Sequence, residues 1–140
     1  MQRANILYIS CHGQWNSIQL PAPLSTLVTL AIDDLNGVDL SNLKFVLLFA
    51  CHCATGGIDG TGVNNFAEKL LACGAETVVA FSDAIRTDDL VSYSNAVFEA
   101  TRAGFTIGVA FKKAAALSYN GYIGACTEVG GNTNRSLLDL

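Results

Sequence analysis

Residues 43–51 read Leu-Lys-Phe-Val-Leu-Leu-Phe-Ala-Cys, an apolar run that contains one lysine and ends at a cysteine. Similar short apolar runs occupy Ile6–Ile9 and Thr77–Phe81. Strands that are apolar along their whole length are buried on both faces, which is typical of parallel sheets covered by helices. The three runs therefore predict an α/β domain with a mainly parallel sheet.

Segments with helical periodicity separate the predicted strands. They run from about Ser25 to Leu35, from Thr61 to Gly74, from Thr87 to Gly104, and from Thr106 onward. The threonines are suitable N-caps, and the glycines suit the left-handed position that ends many helices. Tyr122–Val129 is a candidate for a final strand. Helices between strands predict a layered fold.

The composition sets limits on the fold and on the partners. The chain has 140 residues, of which 51% are hydrophobic and 14% are charged, which predicts one domain over residues 1–140 with a buried core. The apolar runs are too short to span a bilayer, and the first residues do not resemble a secretory signal. The net charge is −4, and the largest basic cluster is Lys112-Lys113. We therefore expect neither nucleic acid nor membrane as a partner.

The cysteines indicate a reducing environment. There are five of them, an odd number, at positions 11, 51, 53, 73 and 126. An odd count without a recognisable secretory signal favours free thiols and a cytoplasmic location. Most buried thiols are inert, so any reactive cysteine has to be identified from its surroundings.

Two predicted strand ends carry most of the reactive side chains. The first strand is followed by Ser10-Cys11-His12-Gly13, and the second by Cys51-His52-Cys53. Binding sites in open parallel sheets form beyond the carboxyl ends of the strands. If these two strands are neighbours, both histidines and three of the five cysteines converge at one rim.

An imidazole beside a thiol is a combination suited to nucleophilic catalysis. A cysteine becomes a good nucleophile when a nearby base or cation favours its thiolate, and His12 can serve Cys51 in this way. The backbone amides of Gly13 and Cys51 are candidate donors for an oxyanion hole. This chemistry needs no cofactor.

The order of these motifs resembles the caspase-like clan CD cysteine peptidases, and within them the CHAT domain subgroup. The resemblance lies in residues 7–13 (Leu-Tyr-Ile-Ser-Cys-His-Gly), 43–51, 66–75 (Phe-Ala-Glu-Lys-Leu-Leu-Ala-Cys-Gly-Ala), 77–83 (Thr-Val-Val-Ala-Phe-Ser-Asp) and 106–111 (Thr-Ile-Gly-Val-Ala-Phe). It covers most of the chain, and the order of the motifs is more specific than any one of them.

The resemblance implies a three-layer caspase-like sandwich and a cysteine endopeptidase that cleaves or self-processes proteins. In that family the histidine is the general base, the cysteine attacks the scissile carbonyl, and the residue after the histidine helps to bind the oxyanion. Carried over, these residues are His12, Cys51 and Gly13. The loop after the third strand makes Ser82 and Asp83 candidates for substrate binding, with Asp83 favouring a basic P1 residue. No metal or cofactor is implied.

Three features depart from the family pattern. Cys11 stands where the family usually has glycine, and Cys53 repeats the cysteine motif. We choose Cys51 as the nucleophile because the preceding strand then has the family's length. The sequence also starts at the histidine-bearing strand, so we expect the N-terminal strands to be missing. Another chain or an N-terminal segment would then complete the sheet, because an uncovered apolar edge favours association.

Two other functions use the same residues. The domain could be a catalytically inactive, caspase-like interaction module, because a fold does not guarantee activity. Cys11, His12, Cys51, His52 and Cys53 could also bind zinc, although adjacent ligands do not have the usual spacing of two to four residues. We favour the peptidase.

Overall fold

The computed structural model of the protein describes residues 5–21, 27–59, 62–117 and 120–139. In chain order, its elements are β1 (Ile6–Ser10), β2 (His12–Gln14), β3 (Ser17–Pro21), β4 (Leu27–Ala31), β5 (Phe45–Phe49), α1 (Phe66–Ala72), β6 (Thr77–Phe81), α2 (Thr87–Arg102), α3 (Ile107–Ala116), α4 (Gly121–Cys126) and β7 (Thr127–Gly131). Short 3-10 helices cover Ile32–Leu35 and Leu137–Asp139.

The central sheet has four strands in the spatial order β1-β5-β6-β7. The first three are parallel to one another, and β7 is antiparallel to β6. The predicted α/β fold with a mainly parallel sheet is confirmed. The two strands followed by His12 and Cys51 are direct neighbours, so their carboxyl ends lie side by side.

Alternate residues of β5 pack into two separate cores, one on each face of the sheet. Val46 and Leu48 pack in a cluster with Phe66 of α1, together with Ile18 from the β2-β3-β4 sheet. The other face of the sheet packs against α2 and α3, and its buried residues include Phe45, Phe49, Tyr93 and Phe111. Burial on both faces explains the continuous apolar runs of β5 and β6, and the three-layer arrangement agrees with a caspase-like sandwich. The predicted burial of β1 is wrong, because this strand lies at the edge of the sheet and exposes Ile6 and Tyr8.

The helices α2 and α3 follow the predicted apolar pattern, but the predicted N-cap of α2 is wrong, because Thr87 is its first helical residue and Arg86 is the N-cap. Tyr93, Val97 and Ala100 form the buried stripe of α2, and Thr106 caps α3 by accepting a hydrogen bond from Val109 N–H. Gly74 has a φ of +110°, a left-handed conformation that glycine adopts easily at a helix end. Within the described ranges, no helix is both long and apolar enough to cross a membrane.

The predicted start of α1 differs from the structure. Thr61 lies outside the described residues, and α1 begins only at Phe66. Its N-cap is Asn65, whose side chain accepts a hydrogen bond from Glu68 N–H. Residues 62–64 are therefore loop, although Val63 continues the helical spacing of the apolar residues.

The helix predicted from about Ser25 to Leu35 is wrong where the structure describes it. This part forms β4 and a 3-10 turn, and β4 pairs with β3, which pairs with β2 in an antiparallel three-stranded sheet. Leu30 lies opposite Ile18, which is completely buried. Cross-strand pairing and burial of Ile18 outweigh the helical spacing of the leucines, because local propensity is weak compared with tertiary packing.

The predicted final strand is partly wrong. Gly121–Cys126 forms the helix α4, and only Thr127–Gly131 forms a strand. A Cβ added to Gly124 would lie 2.8 Å from Ala115 Cα, so α4 packs very close to α3 at this position. Packing against α3 therefore keeps the residues before Thr127 helical, and pairing with β6 makes the residues from Thr127 onward a strand.

Candidate active site

The chain leaves the central sheet at the end of β1, just before His12. The Cys11 N–H donates a hydrogen bond to the Phe49 carbonyl at 3.0 Å, which keeps this end of the chain beside β5. The chain then enters β2, where His12 lies opposite Gln19 of β3. The His12 side chain is exposed and therefore accessible to a substrate.

Gly13 lies directly against the loop that follows β5. A Cβ at this position would be 2.6 Å from Cys53 Sγ, 2.8 Å from Ala50 Cβ and 3.0 Å from the Cys51 carbonyl oxygen. Real side chains do not make such short contacts with their surroundings, so glycine is required for this close approach. The backbone of the His12-Gly13 segment is thereby placed next to the backbone of Cys51.

Cys51 lies near the start of the loop that follows β5. The Ile85 N–H donates a hydrogen bond to Cys51 Sγ at 3.4 Å, and the thiol is 3.8 Å from the Ile85 carbonyl oxygen. Ile85 comes from the loop between β6 and α2. The sulfur therefore lies against both the N–H and the carbonyl of Ile85, which hold the Cys51 side chain in this position.

His12 and Cys51 line the same open cavity, which has a volume of about 370 Å³. Its other lining residues are Ser10, Cys11, Gln19, Phe49, Ile85, Thr87 and Leu90. No hydrogen bond joins the His12 ring to Cys51 Sγ, although both residues are described. The structure thus brings the two predicted residues to one cavity with the thiol directed at Ile85.

The neighbouring Cys53 has a very different environment. It is completely buried, and its Sγ donates a hydrogen bond to the Gln14 carbonyl at 3.4 Å. Burial, reinforced by the nearby thiols of Cys11 and Cys51, raises the pKa of Cys53 to about 12. Since the thiolate is the reactive form, Cys53 is unreactive near neutral pH.

Cys11 shares the cavity with His12 and Cys51. Burial raises the pKa of its thiol, and a hydrogen bond with the Gln19 backbone partly opposes this effect. Cys11 is therefore a weaker nucleophile than an ordinary exposed cysteine. All five cysteines are free thiols.

Ser82 and Asp83, the predicted substrate-binding residues, lie beside this site but do not line its cavity. Asp83 Oδ1 is 3.7 Å from His52 Nδ1, and it also accepts a hydrogen bond from the Ala84 N–H at 2.7 Å. The Ser82 hydroxyl donates to the Cys126 carbonyl at 3.3 Å. Whether either residue contacts a substrate stays a prediction.

His52 connects the loop of Cys51 to the loop of Asp83. Its φ is +62°, an uncommon conformation for a residue with a side chain, and its N–H donates to the Asp83 carbonyl at 3.2 Å. The His52 and Asp83 side chains also approach each other, with Nδ1 and Oδ1 3.7 Å apart. His52 therefore holds the two loops together, which fixes the position of the adjacent Cys51.

Sequence reasoning missed Ile85, Thr87 and Leu90 as parts of this site. The predicted site residues of that loop ended at Asp83, two positions before the amide that contacts Cys51 Sγ. The general rule that sites lie beyond the carboxyl ends of strands pointed to this loop. It could not identify the residue, because that depends on the path of the loop.

The described residues contain no group of three or more His, Cys, Asp or Glu side chains placed to hold a metal ion. In comparisons with known proteins, a model of the CHAT domain family matches residues 1–118. A search of curated proteins found no match to the sequence.

Proposed function

Since this chain belongs to the CHAT domain family, which is related to the caspase-like peptidases, we propose that it is a cysteine endopeptidase. Its substrate is a protein or peptide, which can include its own chain. His12 is the general base and Cys51 is the nucleophile. The observation that carries the proposal is the shared cavity, which both side chains line at the ends of adjacent parallel strands.

The proposed reaction has two steps. His12 accepts the Cys51 proton, and the thiolate attacks the scissile carbonyl carbon to form a tetrahedral intermediate. The imidazolium then gives its proton to the leaving amine, and an acyl-enzyme remains on Cys51. A water molecule, activated by His12, attacks the thioester, and the thiol leaves as the acid product is released.

Backbone amides are the proposed donors for the oxyanion. No described residue accepts a hydrogen bond from the Cys51 N–H, so this donor is available for a substrate. The contacts of Gly13 with the Cys51 loop keep a second amide nearby. Donors fixed in advance by the fold stabilise a developing negative charge at no further cost in reorganisation.

The proposed reaction requires the Cys51 side chain to move away from Ile85. The Cys51 thiol is close to the Ile85 carbonyl, and turning towards His12 would expose it to the base. Catalytic hydrogen bonds are often long or absent until a substrate binds. We propose that rotation of the Cys51 side chain brings Sγ to the His12 ring in the free protein as well, and that a bound substrate holds the two together.

Thiol labelling tests this proposal. We expect iodoacetamide at pH 7 to alkylate Cys51 faster than the other cysteines, as measured by mass spectrometry of the peptides. His12→Ala should slow the labelling of Cys51 roughly 10-fold or more, because the thiolate loses its partner. The wild-type protein should cleave members of a peptide library, and Cys51→Ala should abolish this cleavage.

Cys53→Ala is the matched control for this experiment. With a pKa of about 12, Cys53 has almost no thiolate below pH 9, so its removal should leave the labelling profile unchanged. If all cysteines react slowly and His12→Ala has no effect on Cys51, the dyad proposal is wrong.

The alternative is a catalytically inactive interaction module of the same family. The absence of a hydrogen bond between His12 and Cys51, and the proximity of the thiol to Ile85, favour it. The labelling experiment distinguishes the two functions, because in an inactive module we expect no thiol to react faster than the others.

The proposed activity also requires reduced Cys51, so we propose a cytoplasmic location.

A further inference from the structure

We infer that the cavity beside Cys51 is the S1 subsite and accepts an uncharged, mainly aliphatic P1 side chain such as leucine or methionine. This inference rests on the proposed peptidase function and specifies its substrate class. It differs from the expectation that Asp83 selects a basic residue.

The apolar wall of the cavity consists of Phe49, Ile85 and Leu90. The Phe49 ring is only 2% exposed and is fixed between two aromatic rings, stacked on Phe81 and edge-on to Tyr8 with both centroids 5.3 Å away. Ile85 and Leu90 pack against the same core. A rigid apolar wall favours aliphatic side chains, because it buries their surface without a conformational penalty.

The remaining wall is polar but uncharged. Ser10, Gln19 and Thr87 contribute hydroxyl and amide groups, while His12 and the two thiols complete the lining. Among the described lining residues there is no carboxylate, lysine or arginine. A charged P1 side chain would lose hydration in this cavity without gaining an opposite charge, which is unfavourable.

Asp83 and Asp88, which flank Ile85 and Thr87 in the chain, have partners outside the cavity. Asp83 faces His52, and Asp88 Oδ2 is 3.6 Å from Arg86 Nη2. Neither lines the cavity. A P1 arginine or lysine that reached either of these two carboxylates would compete with the existing partner at a solvent-exposed position, where ion pairs contribute little.

The cavity size agrees with one side chain and the scissile peptide. Its volume of about 370 Å³ lies at the small end of the range for ligand sites, and the thiol of Cys51 lines it. We assign the side chain that enters the cavity to P1, because P1 carries the attacked carbonyl and Cys51 lines the cavity.

Covalent probes test the P1 class directly. We would use three tripeptidyl acyloxymethyl ketones that differ only in P1, carrying leucine, arginine or aspartate. The Cys51 thiolate forms a C–S bond to the methylene carbon, and the carboxylate leaves. We expect the leucine probe to label about 10-fold faster or more than the other two, with no labelling of Cys51→Ala.

Substitution of Thr87 tests whether the P1 preference can be changed, and a matched control is available. It is the first residue of α2, is exposed, and lines the cavity, so Thr87→Asp adds a carboxylate where the helix dipole tolerates it. We expect Thr87→Asp to raise the arginine-to-leucine rate ratio about 10-fold. Thr87→Asn, which has a similar shape without the charge, should keep the wild-type ratio.

The outcomes distinguish this inference from the proposed function. If Cys51-dependent labelling is fastest with arginine, and Asp83→Asn selectively removes it, the S1 inference is wrong and Asp83 is the specificity residue. Fastest labelling with aspartate would also contradict it. If no probe labels Cys51 in the wild-type protein, the peptidase proposal itself fails and the inference fails with it.

Discussion

At the scale of single residues, Gly13 shows how closely two chain segments must approach to form the site. Cys53 Sγ and Ala50 Cβ occupy the space that a side chain at position 13 would need. The same contact buries Cys53 and leaves Cys51 at the cavity. One glycine therefore contributes both to the packing of the site and to the difference between the two cysteines.

We expect Gly13→Ala to destabilise the fold by about 1–3 kcal/mol, because the added methyl group overpacks a buried contact. Urea unfolding monitored by circular dichroism measures this change. Gly121→Ala is the control, since a Cβ there meets no atom within 4 Å in the described structure. Equal stability of both variants would contradict the tight contact at Gly13.

At the scale of elements, the loop after β5 is held in place from two sides. The Ala54 N–H donates to the Phe81 carbonyl at 2.9 Å, which connects it to β6. The Asn65 amide donates to the carbonyls of Thr55 and Gly57 at 3.0 and 2.8 Å, which connects it to the start of α1. Asn65 is also the N-cap of α1, so one buried side chain fixes both the loop and the helix.

Asn65→Ala should therefore lower the free energy of unfolding by about 2–3 kcal/mol, since it removes the cap and leaves two carbonyls without their donor. Asn65→Ser keeps an oxygen that can cap the helix but lacks the amide group. We therefore expect its free energy of unfolding to be about 1 kcal/mol higher than that of Asn65→Ala. Chemical denaturation of both variants measures the two contributions. A serine variant as stable as wild type would show that the loop contacts contribute nothing.

At the scale of the whole molecule, the β1 edge is the least protected part of the sheet. Within the described structure no strand pairs with the free side of β1. Tyr8 is 57% exposed and lines an apolar groove of about 320 Å³ between β1 and α2, with Ile6, Leu47 and Phe98 among the other lining residues. Exposed edges beside apolar grooves favour pairing with another strand.

We expect the isolated protein to associate through this edge as its concentration rises, since a strand of a second copy can pair with the free side of β1. Light scattering after size exclusion measures the apparent mass. Tyr8→Lys should reduce the association, because a charge on an edge strand opposes pairing. Val109→Lys, at an exposed apolar position on α3, is the control and should associate like wild type. A concentration-independent monomer would contradict this prediction.

The parallel strands of the central sheet were predictable because their signals are local. A strand buried on both faces must be apolar throughout, and this pattern identified β5 and β6. It also located β1, although Ile6 and Tyr8 are exposed at the sheet edge. Tyr93 of α2 and Phe111 of α3 were placed correctly because an amphipathic helix repeats its apolar residues every three or four positions. The small sheet β2-β3-β4 was missed because its stability comes from cross-strand partners distant in sequence.

By itself, the sequence determined that an imidazole and a thiol follow two apolar strands, and that the fold is layered α/β. Only the tertiary structure decided that these strands are neighbours, that Cys53 is buried while Cys51 lines the cavity, and that the amide of Ile85 meets the sulfur. Strand identity depends on the periodicity of nearby residues. The accessibility of a thiol and the path of a loop depend on which distant segments pack around them, and no local pattern encodes that packing.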